Sequence, residues 1–381
     1  MKIVIASDKF KGTLTGAQVA QAVATGLERS IPGVQTSAVP VADGGEGTVD
    51  AALDAGFAPR QVTVTGPTGQ PLQASYALKD GVAVIEMAAA SGLDVLPEGR
   101  KAPLTATSYG TGELIKDALD AGATQIVLGV GGSATTDAGA GMLQALGASF
   151  RDASGDELPG GGAVLEHLST VDLSKLDARL RDTTVLLAAD VDNPLTGANG
   201  AAQVFGPQKG ADEQQVAQLD AALGHFADQV EAQLDNSYRN NPGAGAAGGM
   251  GYAAMAVLGA TRRRGIDVVL EFTGLEQALQ GADAVITGEG SLDSQSLEGK
   301  TPIGVSEMAA AHQVPVYGIC GRTTLDAETL QKAGFRATVA LMDLVDSPEE
   351  AMARAAELVV DAAEKLGEQI GADLALKRTA S

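Results

Sequence analysis

The sequence predicts an α/β protein: a doubly wound parallel sheet of five strands, cut in two by a large mixed α/β insertion. Three observations carry this. The chain opens with two short apolar runs, "IVIA" and "TSAVPVA", each followed by a loop and a helix-like stretch. The same rhythm returns three times after residue 281, in "DAVITGEG", "VPVYGICG" and "RATVALMD". Between these ends the texture changes to alternating segments punctuated by turn residues. At 381 residues the chain exceeds the roughly 250–300 at which a single core stops growing, so two domains are expected. The first is made of residues 1–58 and 281–381, and the second, inserted, of residues 59–280.

In chain order, "IVIA" (3–6) reads as a buried parallel strand, and Thr15 as the N-cap of a helix beginning at Ala17 and reaching Glu28. "DGGEGTVDAALDAG" runs from a glycine loop into a second helix. From Val62 the signals Gly-Pro, Gly-Gln-Pro and Lys-Asp-Gly mark hairpins. Helix-like stretches follow at 111–121, 139–146 and 211–234, with strands at 125–130 and 184–189. The closing βα units carry helices at 303–311 and 326–332 and a last one through Gly367, and "LALKRTAS" reads as a loose tail.

The bulk numbers narrow the function. Twenty-six basic against 48 acidic residues give a formal charge of -22, which repels nucleic-acid backbones and anionic membranes; neither is an expected partner. Backbone N–H groups in a cleft can still hold a small anion. Cys320 stands alone, so neither an intrachain disulfide nor a cysteine metal cluster forms, and a reducing, cytoplasmic address is expected. "MKIVIASDKF" is too short an apolar run for a signal peptide, and no segment approaches membrane-spanning length.

"QIVLGVGGSATTDAGAGMLQALGASFRD" (125–152) looks at first like a dinucleotide-binding turn closed by Asp152. Thr135, Thr136 and Asp137 are capping residues, however, and push the helix start past the point where a pyrophosphate would rest. Two other readings fit: a turn whose N–H groups face phosphate, with Ser133 and Thr135 hydroxyls assisting, or close backbone packing without a ligand.

Other strand ends carry chemistry. "ADVDNPLTGANGAAQVFGPQKGA" delivers Asp190 and Asp192 to the C-terminal end of a strand, where two acids can hold magnesium or take a hydroxyl proton, although "DNP" is also an ordinary turn. "TGEGSLDSQSLEGK" offers Glu289, Asp293 and Lys300; "SDKFKGT" offers Asp8, Lys9 and Lys11; "ADGGEGT" offers Asp43, Gly44, Gly45 and Glu46. A Walker A loop is absent, because Ser294 stands where the first glycine before "GKT" belongs. His167, His225 and His312 lack metal-ligand spacing, and "TRRRG" (261–265) is expected to face solvent.

Taken together, "IASDKFKGTLT", "PVADGGEGT", "GVGGSATTDAGAGMLQALG", "ADVDNPLTGANGAAQVFGPQKGA", "GAGAAGGMGYA" and "VITGEGSLDSQSLEGKTPIGV" resemble the type-1 glycerate kinase family from residue 1 to about residue 370. The resemblance implies a Rossmann/flavodoxin-like domain split around the insertion, with the active site in the cleft between two α/β domains. It implies ATP- and Mg²⁺-dependent phosphorylation of D-glycerate, at the 2-hydroxyl, and it allows a homodimer. Under it Asp190 accepts the hydroxyl proton, and Lys11 and Lys300 counter phosphate or carboxylate charge. Asp43, Gly45 and Glu46 hold glycerate; Gly131, Gly132, Ser133 and Thr135 face the ATP phosphates; Asp192, Glu289 and Asp293 hold Mg²⁺. The rival outcomes are 3-phosphoglycerate as the product, an NAD-dependent hydroxy-acid oxidoreductase, and a non-catalytic anion binder.

Overall fold

The computed structural model describes residues 1–234 and 236–380. Among them the strands run, in order, β1 (Lys2–Ser7), β2 (Gln35–Ala38), β3 (Ala58–Thr65), β4 (Pro71–Lys79), β5 (Val82–Glu86), β6 (Gln125–Gly129), β7 (Ser149–Arg151), β8 (Thr170–Asp172), β9 (Thr184–Ala188), β10 (Thr261–Arg263), β11 (Ala284–Leu292), β12 (Val316–Thr323) and β13 (Phe335–Ala340). They belong to two compact units, one of Met1–Asp43 with Val269–Ser381 and one of Gly44–Val268. None of the helices among the described residues is long and apolar enough to cross a membrane.

The first unit holds an all-parallel sheet in the order β2-β1-β11-β12-β13. Counted within the unit this is 2-1-3-4-5, the flavodoxin-like order, whose direction of winding reverses between β1 and β11. Ile3, Val4, Ile5 and Ala6 are all buried, as an unbroken apolar strand covered on both faces requires. The helix Gly16–Ser30 starts at Thr15 in a full capping box with Gln18, and its buried face is Val19, Val23 and Leu27. It packs on the final helix, Ala355–Ala380, through two glycines: a Cβ at Gly26 would fall 2.2 Å from the Val360 carbonyl, and one at Gly367 2.0 Å from Ser30 Oγ. That helix runs on through residues 374–380, where a loose tail was the expectation; Ala, Leu, Lys and Arg there are good helix formers, and Ser381 lies outside the described residues.

Gly288 pairs with Ser7 on one side and Ile319 on the other. A Cβ there would sit 1.7 Å from the Ile319 carbonyl oxygen. The backbone has no room to yield inside a three-strand pairing, so Gly288→Ala is expected to destabilise the protein by about 3 kcal/mol. Urea unfolding checks this, and an unchanged midpoint would refute the packing argument.

The second unit is built on a mixed sheet, β10-β9-β6-β5-β4-β3, in which β5, β6, β9 and β10 run parallel and β3, β4 and β5 antiparallel. Asp80 and Gly81, with φ of 49° and 81°, make the two-residue turn from β4 to β5, the geometry of a type I′ hairpin. β7 and β8 form a separate two-stranded antiparallel sheet. The core of the unit gathers Ile85, Leu114, Ile126, Leu128, Leu143, Leu187 and Leu219, with Phe150, Phe226 and Tyr252 meeting edge to face. The helix Thr48–Asp54 packs on β4 and β5 and so belongs to this unit, which therefore begins at Gly44; the change of texture at Val62 marks only its first hairpin.

Candidate functional site

In the first unit the point of winding reversal, between the C-terminal ends of β1 and β11, carries a cluster of acids. Open α/β sheets bind ligands at this kind of place. Asp8 follows β1; its amide donates to the Gly288 carbonyl (2.9 Å), and its carboxyl accepts the Lys9 amide (2.7 Å) and the Thr301 hydroxyl (2.9 Å). Burial pushes Asp8 up to about 6, with the Asp43 charge adding to the push while the Thr301 and Lys9 hydrogen bonds oppose it. Burial likewise pushes Glu289, on β11, up to about 7; the Ser296 hydroxyl and Lys300 ammonium oppose this, and Asp8 and Asp293 reinforce it. Its Oε1 is buried with no hydrogen-bond partner. Asp293 folds the following turn by accepting the Gln295 amide (2.9 Å), and Lys300 is the N-cap residue of the helix Thr301–Ala311. Lys11 is exposed; a Cβ on Gly290 would lie 3.5 Å from its amide nitrogen. This unit thus brings together Asp43, Glu289, Asp293 and Lys300 of the expected residues, adds Asp8, and keeps Lys11 beside the β11 backbone.

The second unit gathers the glycine loops. A Cβ on Gly44 would fall 2.4 Å from Gly265 Cα, one on Gly129 2.7 Å from the Gly44 carbonyl, and one on Gly131 3.0 Å from Gly45 Cα. Only glycine lets these three backbones meet. Glu86, ending β5, accepts the Gly47 and Val49 amides (3.1 and 2.7 Å) at the start of the helix Thr48–Asp54, beside the exposed Glu46. Asp190 emerges exposed just after β9, and its Oδ1 accepts the Gly265 amide (2.9 Å).

Asp192 forms an ion pair with Arg262 (2.7 Å), whose Nε also donates to the Ala189 carbonyl (3.1 Å). The basic run was expected to face solvent; instead β10 pairs with β9 and lays Arg262 along the Ala189–Asp192 turn. Among the described residues no three His, Cys, Asp or Glu side chains form a group that could hold a metal ion. Asp192 lies in one unit, and Glu289 and Asp293 lie in the other.

The loop after β6 has an exposed tip, Gly131 and Gly132, and a buried root, Ser133 to Asp137. The Leu93 amide donates to the Gly132 carbonyl, and the Ala134 amide to that of Ser91 (2.9 Å each). The helix behind the loop, Ala140–Ala145, starts only after two left-handed residues, Ala138 and Gly139. Asp152 sits in the short turn that follows β7 and leads to the Arg151–Glu157 bridge, where its carboxylate accepts the Ser154 and Asp156 amides. A dinucleotide site needs that acid at the end of a strand parallel to β6, so this loop is not one.

The sequence reading gives Glu86 and Lys209 no role, offers Asp8 without assigning it one, reads Asp137 only as a helix cap and turns Arg262 toward solvent. Asp8 and Glu86 do show a signal, an acid directly after a short apolar run, the same one that marks Asp190. The others show none.

A family model described as the glycerate kinase family matches residues 3–371. The chain is 47% identical over 383 residues to a glycerate kinase of Bacillus subtilis (strain 168), covering 100% of this chain and 99% of that one. It is 48% identical over 354 residues to a glycerate 2-kinase of Escherichia coli (strain K12), covering 92% and 93%. Among solved structures it is similar to a crystal structure of a protein from Salmonella typhimurium LT2 named after glycerate kinase 2, with a TM-score of 0.88, 44% identity, and coverage of 98% and 99%.

Proposed function

The chain belongs to the glycerate kinase family, and from that premise we propose that it transfers the γ-phosphoryl group of ATP to the 2-hydroxyl of D-glycerate, giving 2-phosphoglycerate and ADP with the help of Mg²⁺. The observation that carries this reading is Asp190: a carboxylate delivered by a parallel strand, oriented by the Gly265 amide, in the unit where glycine backbones meet too closely for any side chain.

Phosphoryl transfer asks little covalent chemistry of the protein; it asks for alignment and for cancellation of charge. Asp190 Oδ2, the oxygen not bonded to Gly265, accepts the proton of the glycerate 2-hydroxyl as the oxygen attacks phosphorus. Gly131 and Gly132 turn their N–H groups to the ATP phosphates, with Ser133 and Thr135 as the buried root of that loop. Asp43, Gly45 and Glu46 engage the glycerate hydroxyls, while Lys11 and Lys300 balance phosphate or carboxylate charge. Glu289 and Asp293 offer the hard oxygen donors that Mg²⁺ takes, one or two carboxylates completed by phosphate and water, and the buried Glu289 Oε1 without a partner fits that use. When bound, Mg²⁺ neutralises charge on the transferring group. The Asp192 carboxylate, held by Arg262, fixes the turn that presents Asp190.

An ADP-release assay with D- and L-glycerate, followed by phosphorus NMR of the product, tests the proposal. ADP should appear only with D-glycerate and Mg²⁺ present, and the new resonance should be that of the 2-phosphate. ADP release indifferent to glycerate refutes the kinase reading, and a 3-phosphate product refutes the regiochemistry alone.

A further inference from the structure

We infer that Lys209 is a positioning residue for the Gly131–Thr135 loop: it ties the root of that loop through the Thr135 carbonyl, so that the glycine tip is held in one shape before any ligand arrives. The inference rests on the reading that ATP phosphates meet this tip.

Lys209 is 1% exposed, far below what an unbound ammonium tolerates. Its Nζ donates to the Thr135 carbonyl at 2.6 Å, across 74 residues of chain. Burial pulls the amine down to about 7, and the Asp137 carboxylate opposes that pull. Asp137, wholly buried, fixes the exit of the loop: it accepts the Ser108 amide and hydroxyl (2.8 Å each) and the Gly139 and Gly141 amides (3.2 and 3.3 Å).

The floor under this root is made of glycine. Ala247, Gly248 and Gly249 are three consecutive left-handed residues (φ 53°, 67° and 95°), and a Cβ at Gly248 would fall 2.0 Å from the Thr135 carbonyl oxygen. The Gly248 carbonyl in turn accepts the Ala138 amide (3.0 Å). Gly162 closes the other side, 1.9 Å from the Thr136 carbonyl by the same measure. The Thr135 and Thr136 hydroxyls are buried without partners, so those two side chains do not secure the stretch ahead of Asp137. A desolvated charge reaching one backbone carbonyl explains why a lysine occupies an apolar interior and why "GAGAAGGMG" needs its glycines.

The test uses the full-length enzyme carrying Lys209→Met or Lys209→Arg, with hydrogen exchange read at residues 129–136 and steady-state kinetics. Without nucleotide, Lys209→Met should speed exchange of the loop amides roughly tenfold while β3–β5 stay as in the wild type. KM for ATP should rise about tenfold with KM for glycerate changed less than about twofold, and Lys209→Arg should restore most of the loss. Loop exchange unchanged in Lys209→Met, faster exchange spread evenly over Gly44–Val268, or equal rises in both KM values overturns the inference. A separate arm, wild-type exchange with and without ATP, tests only the nucleotide reading. If ATP leaves residues 129–136 unprotected, that reading falls, and the exchange of nucleotide-free Lys209→Met still decides whether Lys209 positions the loop.

Discussion

Asp190→Asn is expected to lower kcat by about a thousandfold, the middle of the range for losing a positioned general base, with the fold intact. The amide is isosteric with the carboxylate. Its oxygen can keep the bond from the Gly265 amide that orients Asp190 in the wild type, which turns the NH₂ group to where the other carboxylate oxygen stood. That group cannot accept the glycerate hydroxyl proton. Because Asp190 is exposed, thermal stability should move by no more than about 0.5 kcal/mol. Single-turnover kinetics with saturating ATP and D-glycerate give the measurement. Turnover within about threefold of wild type would remove Asp190 from the chemistry and leave the acids of the other unit as the place to look for the base.

The second large effect concerns stability and has a definite sign with pH. Asp8 ionises at about 6 in the folded protein, against 3.8 in its ordinary state. Well below pH 3.8 the group is protonated folded or unfolded and costs nothing as a charge. As pH rises through 4 to 6 the unfolded chain releases its proton first, so stability contributed by this group is lost across that window and stays lost above it. Asp8→Asn removes the burden. In metal-free buffer the variant should gain about 2 kcal/mol at pH 8, somewhat less than the full shift implies because a neutral amide accepts the Thr301 and Lys9 hydrogen bonds more weakly, and should gain no more than about 0.5 kcal/mol at pH 4. Urea unfolding at the two pH values measures it. Catalysis should suffer in exchange, since a carboxylate kept in an unfavourable site is retained for function. A variant less stable than wild type at pH 8 would show that the Thr301 contact outweighs the burial.

Much of the fold was legible because single residues dictate it. Thr15 with Gln18 starts the first long helix as their spacing requires, and Asp80-Gly81 turns the chain where two left-handed residues are needed. The inner strands β1, β11 and β12 carry short buried apolar runs of the kind a sheet covered on both faces requires, and the edge strands β2 and β13 join them in one all-parallel order. What escaped the sequence depends on partners distant along the chain. Arg262 looks like a surface residue until β10 lies against β9 and sets it beside Ala189 and Asp192. Lys209 sits in a polar-looking turn, and nothing local says that the Thr135 carbonyl waits for it. Asp8 carries the same mark as Asp190, an acid after an apolar run, yet its raised pKa arises from burial, with the Asp43 charge adding to it against the Thr301 hydrogen bond, none of which spacing reveals. Asp152 matched a motif by its count of residues, while its strand pairs elsewhere.

The neighbour of β1 on its inner side is β11, joined through contacts 281 residues apart, such as that of the Ser7 hydroxyl with the Gly288 carbonyl. Closing so long a loop adds little entropy beyond a shorter one, but it orders events during synthesis. A ribosome must read through the whole inserted unit before the opening strand can find its partner, and must reach Thr301 before Asp8 finds its own. Until then the growing chain holds an apolar strand with an open edge, a form exposed to misassociation. The acid cluster cannot come together before Glu289 and Asp293, about three quarters of the way along the polypeptide, have emerged, so translation products truncated ahead of them carry only Asp8 and Asp43 of it.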